Sequence, residues 1–381
     1  MPELTVKVPA TEGWGYKIEI GTDFLETVWA KIEDKFDGYG KFVITDANVK
    51  KAGHLNKLLS GRPFDTAPPT TAFEGRQGRD VPAYVITPAG EISKNMKTVS
   101  GILEAMEGAY LGRDTVVLAL GGGTVGDIAG FAAAIFKRGV AVVQIPTTTL
   151  AQADSAIGGK TGVDSTLSKN AYGVFWHPAA VYIDVAALKT LDDRQYRAGL
   201  VESVKHALIA DEKYFEFLED NLDAILQRRC EVLEKVAYYN CRIKAQVVEA
   251  DPTEKNQRRM LNYGHTIGHA IESASGFELL HGEAIATGIV AAGLIEIEMG
   301  IGDERRLERV KKILRGLGMP VSTQAKISQK TVMDAIRRDK KAIKKWPRFV
   351  LIDKIGNVHC KEGQWAVEVG QEAIEKVLEK L

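Results

Sequence analysis

Five short β-branched runs in the first half of the chain set the terms on which it can fold. They are Lys41 to Thr45 (KFVIT), Ala83 to Ile86 (AYVI), Thr115 to Leu120 (TVVLAL), Ala141 to Ile145 (AVVQI) and Ala180 to Ile183 (AVYI). Runs of this kind, bounded by Gly, Pro or Asp, read as strands buried on both faces of a sheet. Helix-period segments such as Lys94 to Glu107 and Val125 to Phe136 lie between them. Strand alternating with helix gives a parallel sheet with crossover helices. From about Leu188 the texture changes to amphipathic helices: Glu212 to Arg228, Glu231 to Ala250, Ile285 to Met299 and Asp303 to Leu317. Strand-like material returns only at Arg348 to Ile352. The expected organisation is therefore an α/β domain over residues 1–186 and a mainly α-helical domain over 187–381. A length of 381 residues agrees with two domains.

Charge excludes some partners. Lys plus Arg and Asp plus Glu are both 50, so no net field favours nucleic acid or a membrane surface. Cys230, Cys241 and Cys360 are widely spaced with no CxxC pair, which fits a reducing compartment without a disulfide framework. No run approaches about 18 apolar residues, and the start, MPELTVKVPATEGW, lacks the basic and apolar regions of a signal peptide. The expectation is a soluble, cytoplasmic protein.

Three of the seven histidines, His265, His269 and His281, fall in one stretch, LNYGHTIGHAIESASGFELLHGEA. His265 and His269 are four apart and share a helix face. His281 follows the Ser275-Gly276 interruption, which lets a second helix turn back on the first. Neutral imidazole is the commonest metal ligand, and catalytic zinc takes three protein ligands and keeps one position open. The cluster reads first as a metal site. HTIGH is spaced like the zinc-protease helix, but Thr266 stands where that chemistry needs a glutamate base, so a protease is excluded.

Other motifs carry less alone. TVVLAL runs into Gly121-Gly122-Gly123-Thr124-Val125-Gly126-Asp127, where glycines at a strand end open a helix whose N-terminus favours phosphate. The spacing is not a clean G-x-G-x-x-G, and a tight structural turn explains it about as well. Asp46-Ala47-Asn48 after KFVIT offers ribose-binding groups or simply a turn. DSAIGGKTGVDSTLSKNAYG, from Asp154 to Gly173, reads as a long polar loop whose lysines, amide and carboxylate suit a polyhydroxylated anion. Glu202 and Lys205 lie three apart on one helical face. Such a pair is usually superficial, but its surroundings are apolar and the His cluster lacks a carboxylate ligand. Arg337 to Lys345 (RRDKKAIKK) reads as a solvated basic helix, one lysine of which could reach a phosphate.

Taken in order, GGGTVGDIAGFAAAIFKRG, QIPTTTLAQADSAIGGKTGV, SKNAYGVFWHP, GLVESVKHALI, RRMLNYGHTIGHAIE and LLHGEA resemble 3-dehydroquinate synthase and the wider sugar-phosphate cyclases. The resemblance covers residues from about 40 to about 355. It implies a Rossmann-like NAD-binding domain followed by a mainly helical metal- and substrate-binding domain. It implies zinc, with cobalt as the alternative, held by Glu202, His265 and His281. NAD would rest on Asp46, Asn48, Glu91, Lys94, Gly122, Gly123, Asp127, Thr147, Thr148 and Lys169. The substrate, 3-deoxy-D-arabino-heptulosonate 7-phosphate, would meet Asp154, Lys160, Asn170, Lys205, Lys244, Arg258, Asn262 and one of Lys340 and Lys341. Glu254 and His269 match positions with proton-transfer roles. Arg138 matches the arginine that reaches a neighbouring subunit's phosphate, so a homodimer is implied. Ser168, Asp164 and His206 stand where the family usually has Gly, Asn and other residues.

The activity so implied is a lyase step of the shikimate pathway to aromatic amino acids: transient oxidation by NAD, phosphate elimination, re-reduction and intramolecular aldol closure. Related cyclases of sedoheptulose 7-phosphate or glucose 6-phosphate share the machinery and differ where a substrate carboxylate is held. Arg258, Asn262 and His269 suit a carboxylate and favour the heptulosonate. A metal- and NAD-dependent alcohol dehydrogenase needs no phosphate-binding lysines, and a non-catalytic scaffold would not retain Glu202, His265, His281, Lys160 and Lys205 together.

Overall fold

A computed structural model describes residues 3–8, 14–61, 81–276, 278–323, 327–343 and 346–381, without the side chains of 6–8, 14 and 338–343. It separates into two compact units, Met1–Leu191 with Leu233–Ala245, and Asp192–Val232 with Gln246–Leu381. Among the described residues no helix is long and apolar enough to cross a membrane.

The first unit is built on a seven-stranded sheet. Its strands are β1 (Glu3–Val8), β2 (Trp14–Gly21), β3 (Gly40–Asp46), β4 (Ala83–Ile86), β5 (Thr115–Gly121), β6 (Ala141–Pro146) and β9 (Ala180–Asp184). The intervening β7 (Lys160–Val163) and β8 (Tyr172–Phe175) pair only with each other. The sheet order is β1-β2-β9-β6-β5-β3-β4, and every pairing except β1 with β2 is parallel. All residues of β5 are buried. Successive side chains of a strand point to opposite faces. Accordingly Val116, Leu118 and Leu120 pack with the helices Leu25–Lys35 and His54–Ser60, while Val117 and Ala119 pack with Met96–Gly108 and Gly123–Ile135. Both faces are covered, as continuous apolar runs require.

From β3 the chain steps outward to β4, then returns across β3 to β5 and steps the other way to β6. The connections thus diverge between β3 and β5. In an open α/β sheet such a switch point, at the carboxyl ends of the strands, is where ligands bind.

All five anticipated strands are present; in the second unit strands also form at Asn357–Val358 and Val367–Glu368, outside the expected Arg348 to Ile352, and three further features differ from expectation. The pair β1–β2 was not anticipated, although Tyr16, Ile18 and Ile20 are buried and Lys17 and Glu19 outward in strict alternation. The segment Asp154 to Gly173 is not one loop: it starts in a wide helical turn, Ala151–Ser155, and contains the β7–β8 hairpin. Gly162 and Gly173 face each other there, and a Cβ on either would lie 2.5 Å from a carbonyl oxygen of the opposite strand. The glycines that suggest a loop permit this close pairing. Glu212 to Arg228 is two helices, Glu212–Asp220 and Leu222–Leu226. Asn221 ends the first by donating its amide to the Phe217 carbonyl at 2.8 Å.

The second unit is mainly helical. Its centre is Asp193–Ala210, started by Asp192, whose carboxylate accepts from the N–H groups of Arg194 and Gln195. Against it packs His281–Glu298, itself packed on His265–Ala274. Gly282 makes the first approach close: a Cβ there would fall 1.9 Å from the Ala198 carbonyl oxygen. Gly288 does the same for the second, with only 2.1 Å to the Gly264 carbonyl oxygen.

Candidate functional site

In the first unit, three expected cofactor positions follow neighbouring carboxyl ends. Asp46 ends β3, Gly122-Gly123 follow β5, and Thr147-Thr148 follow β6. Gly122 caps the Gly123–Ile135 helix without any side-chain hydrogen bond, which leaves that N-terminus open to an anion. A Cβ at Gly122 would sit 2.9 Å from the Thr148 methyl, so a bare backbone is required there. Asp46 is committed in part: its Oδ1 accepts from the Asn48 and Val49 N–H groups, starting a short helix that leaves the Asn48 side chain exposed.

A charged cluster lies beside this turn. The Lys94 ammonium is buried and contacts Asp127 at 2.7 Å, Asn170 Oδ1 at 2.6 Å and Glu91 at 4.0 Å. Burial pulls the Lys94 pKa down, but Asp127 and Glu91 outweigh it and leave the value raised, so the amine stays charged. Lys169 approaches Glu91 at 3.8 Å. Asp164, one of the departures from the family pattern, accepts the Asn170 N–H at 2.6 Å and holds that residue at φ 51°. Elsewhere in the unit Asp154 receives the buried Lys244 ammonium on both its carbonyl and its carboxylate, each at 2.6 Å. Lys160 is exposed at the start of β7.

The second unit carries the histidines. Glu202 and Lys205 form an ion pair and are each 1% exposed, which removes the superficial reading. Glu202 Oε1 lies 3.6 Å from the Nε2 atoms of both His265 and His281. An ion bound tetrahedrally at about 2.1 Å sets its ligands roughly 3.4 Å apart, so one carboxylate and two imidazoles stand at metal-ligand separation. His269 joins the cluster, its ring 5.2 Å from that of His265 and 5.6 Å from that of His281. Burial holds His265 well below its ordinary pKa, keeping it a neutral donor. Burial also opposes protonation of His281, but hydrogen bonds to Glu202 and Glu272 override this and push its pKa up to about 9. A metal would replace that proton.

A third group forms around Asp251, whose carboxylate accepts the N–H groups of Lys255, Asn256 and Arg258. This turn fixes the buried Arg258, and Glu254 at φ 57°. Glu254 Oε1 accepts from the Asn262 amide at 3.0 Å. Sequence reasoning passed over Asp251 and Glu272. Asp251 starts a turn like many others, whereas Glu272 was legible as the third member of a His265, His269, Glu272 stripe. Lys340 and Lys341 fall in the helix Gln329–Ile343, but their side chains lie outside the described residues. Arg138 is exposed in a turn where it and Lys137 both have positive φ, 73° and 48°.

The 3-dehydroquinate synthase N-terminal family matches residues 84–198, and the 3-dehydroquinate synthase C-terminal family matches residues 199–342. The chain is 48% identical over 345 residues to the 3-dehydroquinate synthase of Ruminiclostridium cellulolyticum, covering 90% of this chain and 91% of that one. Among solved structures it resembles 2-deoxy-scyllo-inosose synthase in complex with carbaglucose-6-phosphate, NAD+ and Co2+, at TM-score 0.83, 26% identity and full coverage of both chains. It also resembles 2-epi-5-epi-valiolone synthase of Streptomyces hygroscopicus with NAD+ and Zn2+, at TM-score 0.82, 27% identity and 98% coverage of both chains.

Proposed function

The chain belongs to the 3-dehydroquinate synthase family, and from that premise we propose that it converts 3-deoxy-D-arabino-heptulosonate 7-phosphate to 3-dehydroquinate and phosphate. The observation that carries this reading is Glu202 Oε1 at 3.6 Å from the Nε2 atoms of both His265 and His281. That donor set suits zinc or cobalt with a position left for substrate. In this reading residues 1–186 hold NAD and residues 187–381 hold the metal.

When bound, NAD takes and returns a hydride, and the metal supplies Lewis acidity at the oxygen of the carbon being oxidised. The protein's own groups position and stabilise charge. Gly122, Gly123, Thr147 and Thr148 would hold the dinucleotide's phosphates, and Asp46 and Asn48 would serve its ribose hydroxyls. Glu91, Lys94, Asp127 and Lys169 would serve the NAD side of the site: Lys94 is held by Asp127 and Glu91 and donates to Asn170, and Lys169 approaches Glu91. Lys160, Lys205 and Lys244 serve as cations for phosphate and hydroxyl groups, and Asp154 aligns Lys244. Arg258 and Asn262 hold the carboxylate. Glu254 and His269 move protons, Glu254 being oriented by Asn262.

We assign the active form as a homodimer in the cytoplasm, with Arg138 reaching the neighbouring subunit's phosphate. Two consecutive non-glycine residues at positive φ cost about 1–3 kcal/mol each and mark functional turns. Gly139 packs the same turn on Trp176, next to the exposed Tyr172, Val174 and Phe175 of β8, a face suited to a second copy. Mixed R138A and H265A subunits, each inactive alone, are expected to recover about a quarter of wild-type activity per subunit. In random dimers half are hybrids with one complete site. Recovery absent from a demonstrated hybrid would refute the shared site.

The reaction is tested with purified protein, catalytic NAD and the heptulosonate phosphate. Phosphate and carbocycle should appear together without net NADH. Turnover of sedoheptulose 7-phosphate or glucose 6-phosphate in its place would move the chain to another cyclase activity. Steady NADH accumulation would indicate a simple dehydrogenase.

A further inference from the structure

We propose that Glu272 is a positioning residue for the metal site, anchoring His281 through Nδ1 so that its Nε2 is turned toward Glu202. The inference rests on the metal reading above. Residues 265, 269 and 272 follow i, i+4, i+7 spacing on the His265–Ala274 helix and so share one face. Glu272 is only 6% exposed, and a carboxylate so buried needs a partner. Its Oε2 lies 3.5 Å from His281 Nδ1.

The geometry separates the two imidazoles by how each is held. His265 donates Nδ1–H to the carbonyl of Tyr263 at 3.0 Å, a backbone anchor two residues away. His281 opens its helix, follows an extended Leu280, and keeps 29% of its side chain exposed, so local backbone does not fix its ring. Glu283, two residues on, is committed elsewhere: it accepts from the Arg194 guanidinium and from the Leu280 N–H. Glu272 supplies the missing anchor from the neighbouring helix. Occupying Nδ1 leaves Nε2 as the ligand atom, and a carboxylate partner makes His281 a more basic ligand than His265.

The test is Co2+ affinity by chelator competition, with the visible Co2+ spectrum as second readout, on wild type, E272A, E272Q, H281A and E272A/H281A. Loss of such a partner costs about 10–100-fold in metal affinity. E272A should fall in that range with shifted cobalt bands, and E272Q, which keeps an acceptor but not the charge, should lie between it and wild type. In the H281A background E272A should change the residual affinity by less than about twofold, because the two act as one unit. Unfolding of the metal-free proteins checks that the variants fold, and E272Q carries the test if E272A does not. Wild-type affinity and spectrum in both Glu272 variants would overturn the inference alone, as would an undiminished E272A effect without His281. Failure of wild type to bind Co2+ would overturn the metal reading and this inference together.

Discussion

Replacing His265 with alanine should abolish stoichiometric metal binding and lower phosphate release on the order of 10³-fold. Metal Lewis acidity is worth several kcal/mol, and each 1.36 kcal/mol is a factor of about ten. The variant leaves Glu202 Oε1 facing a single imidazole, with the buried Lys205 ammonium as its remaining strong partner. H269A separates the two metal readings. The three imidazoles alone could offer an ion three nitrogens within 4.8 Å of one another. If Glu202, His265 and His281 are the ligands, H269A keeps its metal and loses turnover. If the ligands are the three histidines, H269A loses the metal as H265A does. Elemental analysis of both proteins, beside dinucleotide binding as a check on the first unit, decides the matter. H265A activity within about tenfold of wild type would remove the basis of the metal reading.

The sequence was most readable where one element answers one physical demand. A run such as TVVLAL has to be buried on both faces, and β5 is. The His265 and His269 spacing has to share a helix face, and their rings lie 5.2 Å apart. It was least readable where a residue's meaning depends on a distant neighbour. Glu202 and Lys205 have the spacing of an ordinary surface pair; only the packing of other helices over Asp193–Ala210 makes them a buried pair. Gly282 and Gly288 look like interruptions in a helix, yet each marks where another backbone comes too close for a Cβ. Gly162 and Gly173 misled for the same reason, since period and propensity carry no record of what lies opposite. The order of the six family motifs is legible in sequence, whereas Asp251 acts through other residues and leaves no spacing signal of its own, and Glu272 shows only as the third member of the His265, His269, Glu272 stripe.

Glu296→Ala should be strongly destabilising, by about 3–5 kcal/mol, because it leaves the largely buried Arg306 guanidinium and the Ile352 N–H without their shared acceptor. That is a large part of the 5–15 kcal/mol that typically holds a protein folded. Glu296 is 1% exposed, accepts from Arg306 Nη2 at 2.8 Å and from the Ile352 N–H at 2.8 Å, and also bonds the Tyr263 hydroxyl. Its loss strands the Arg306 charge and unties the 352 strand from the His281–Glu298 helix. E296Q keeps the shape and isolates the charge. Burial raises the carboxyl to about 7, against the pull of Arg306 and the Ile352 N–H, while an unfolded glutamate titrates near 4.3. Between those values the folded chain holds a proton that the unfolded chain has released, so stability falls as pH rises. The stabilising contribution is complete below about pH 4.3 and lost as pH passes about 7, with a slope of up to roughly 1.4 kcal/mol per pH unit. Denaturant unfolding of wild type and E296Q across this window should therefore give a difference in stability that shrinks with rising pH. A difference that stays flat would mean that Arg306 keeps Glu296 ionised throughout, and that the pair acts as a fixed strut rather than a titrating one.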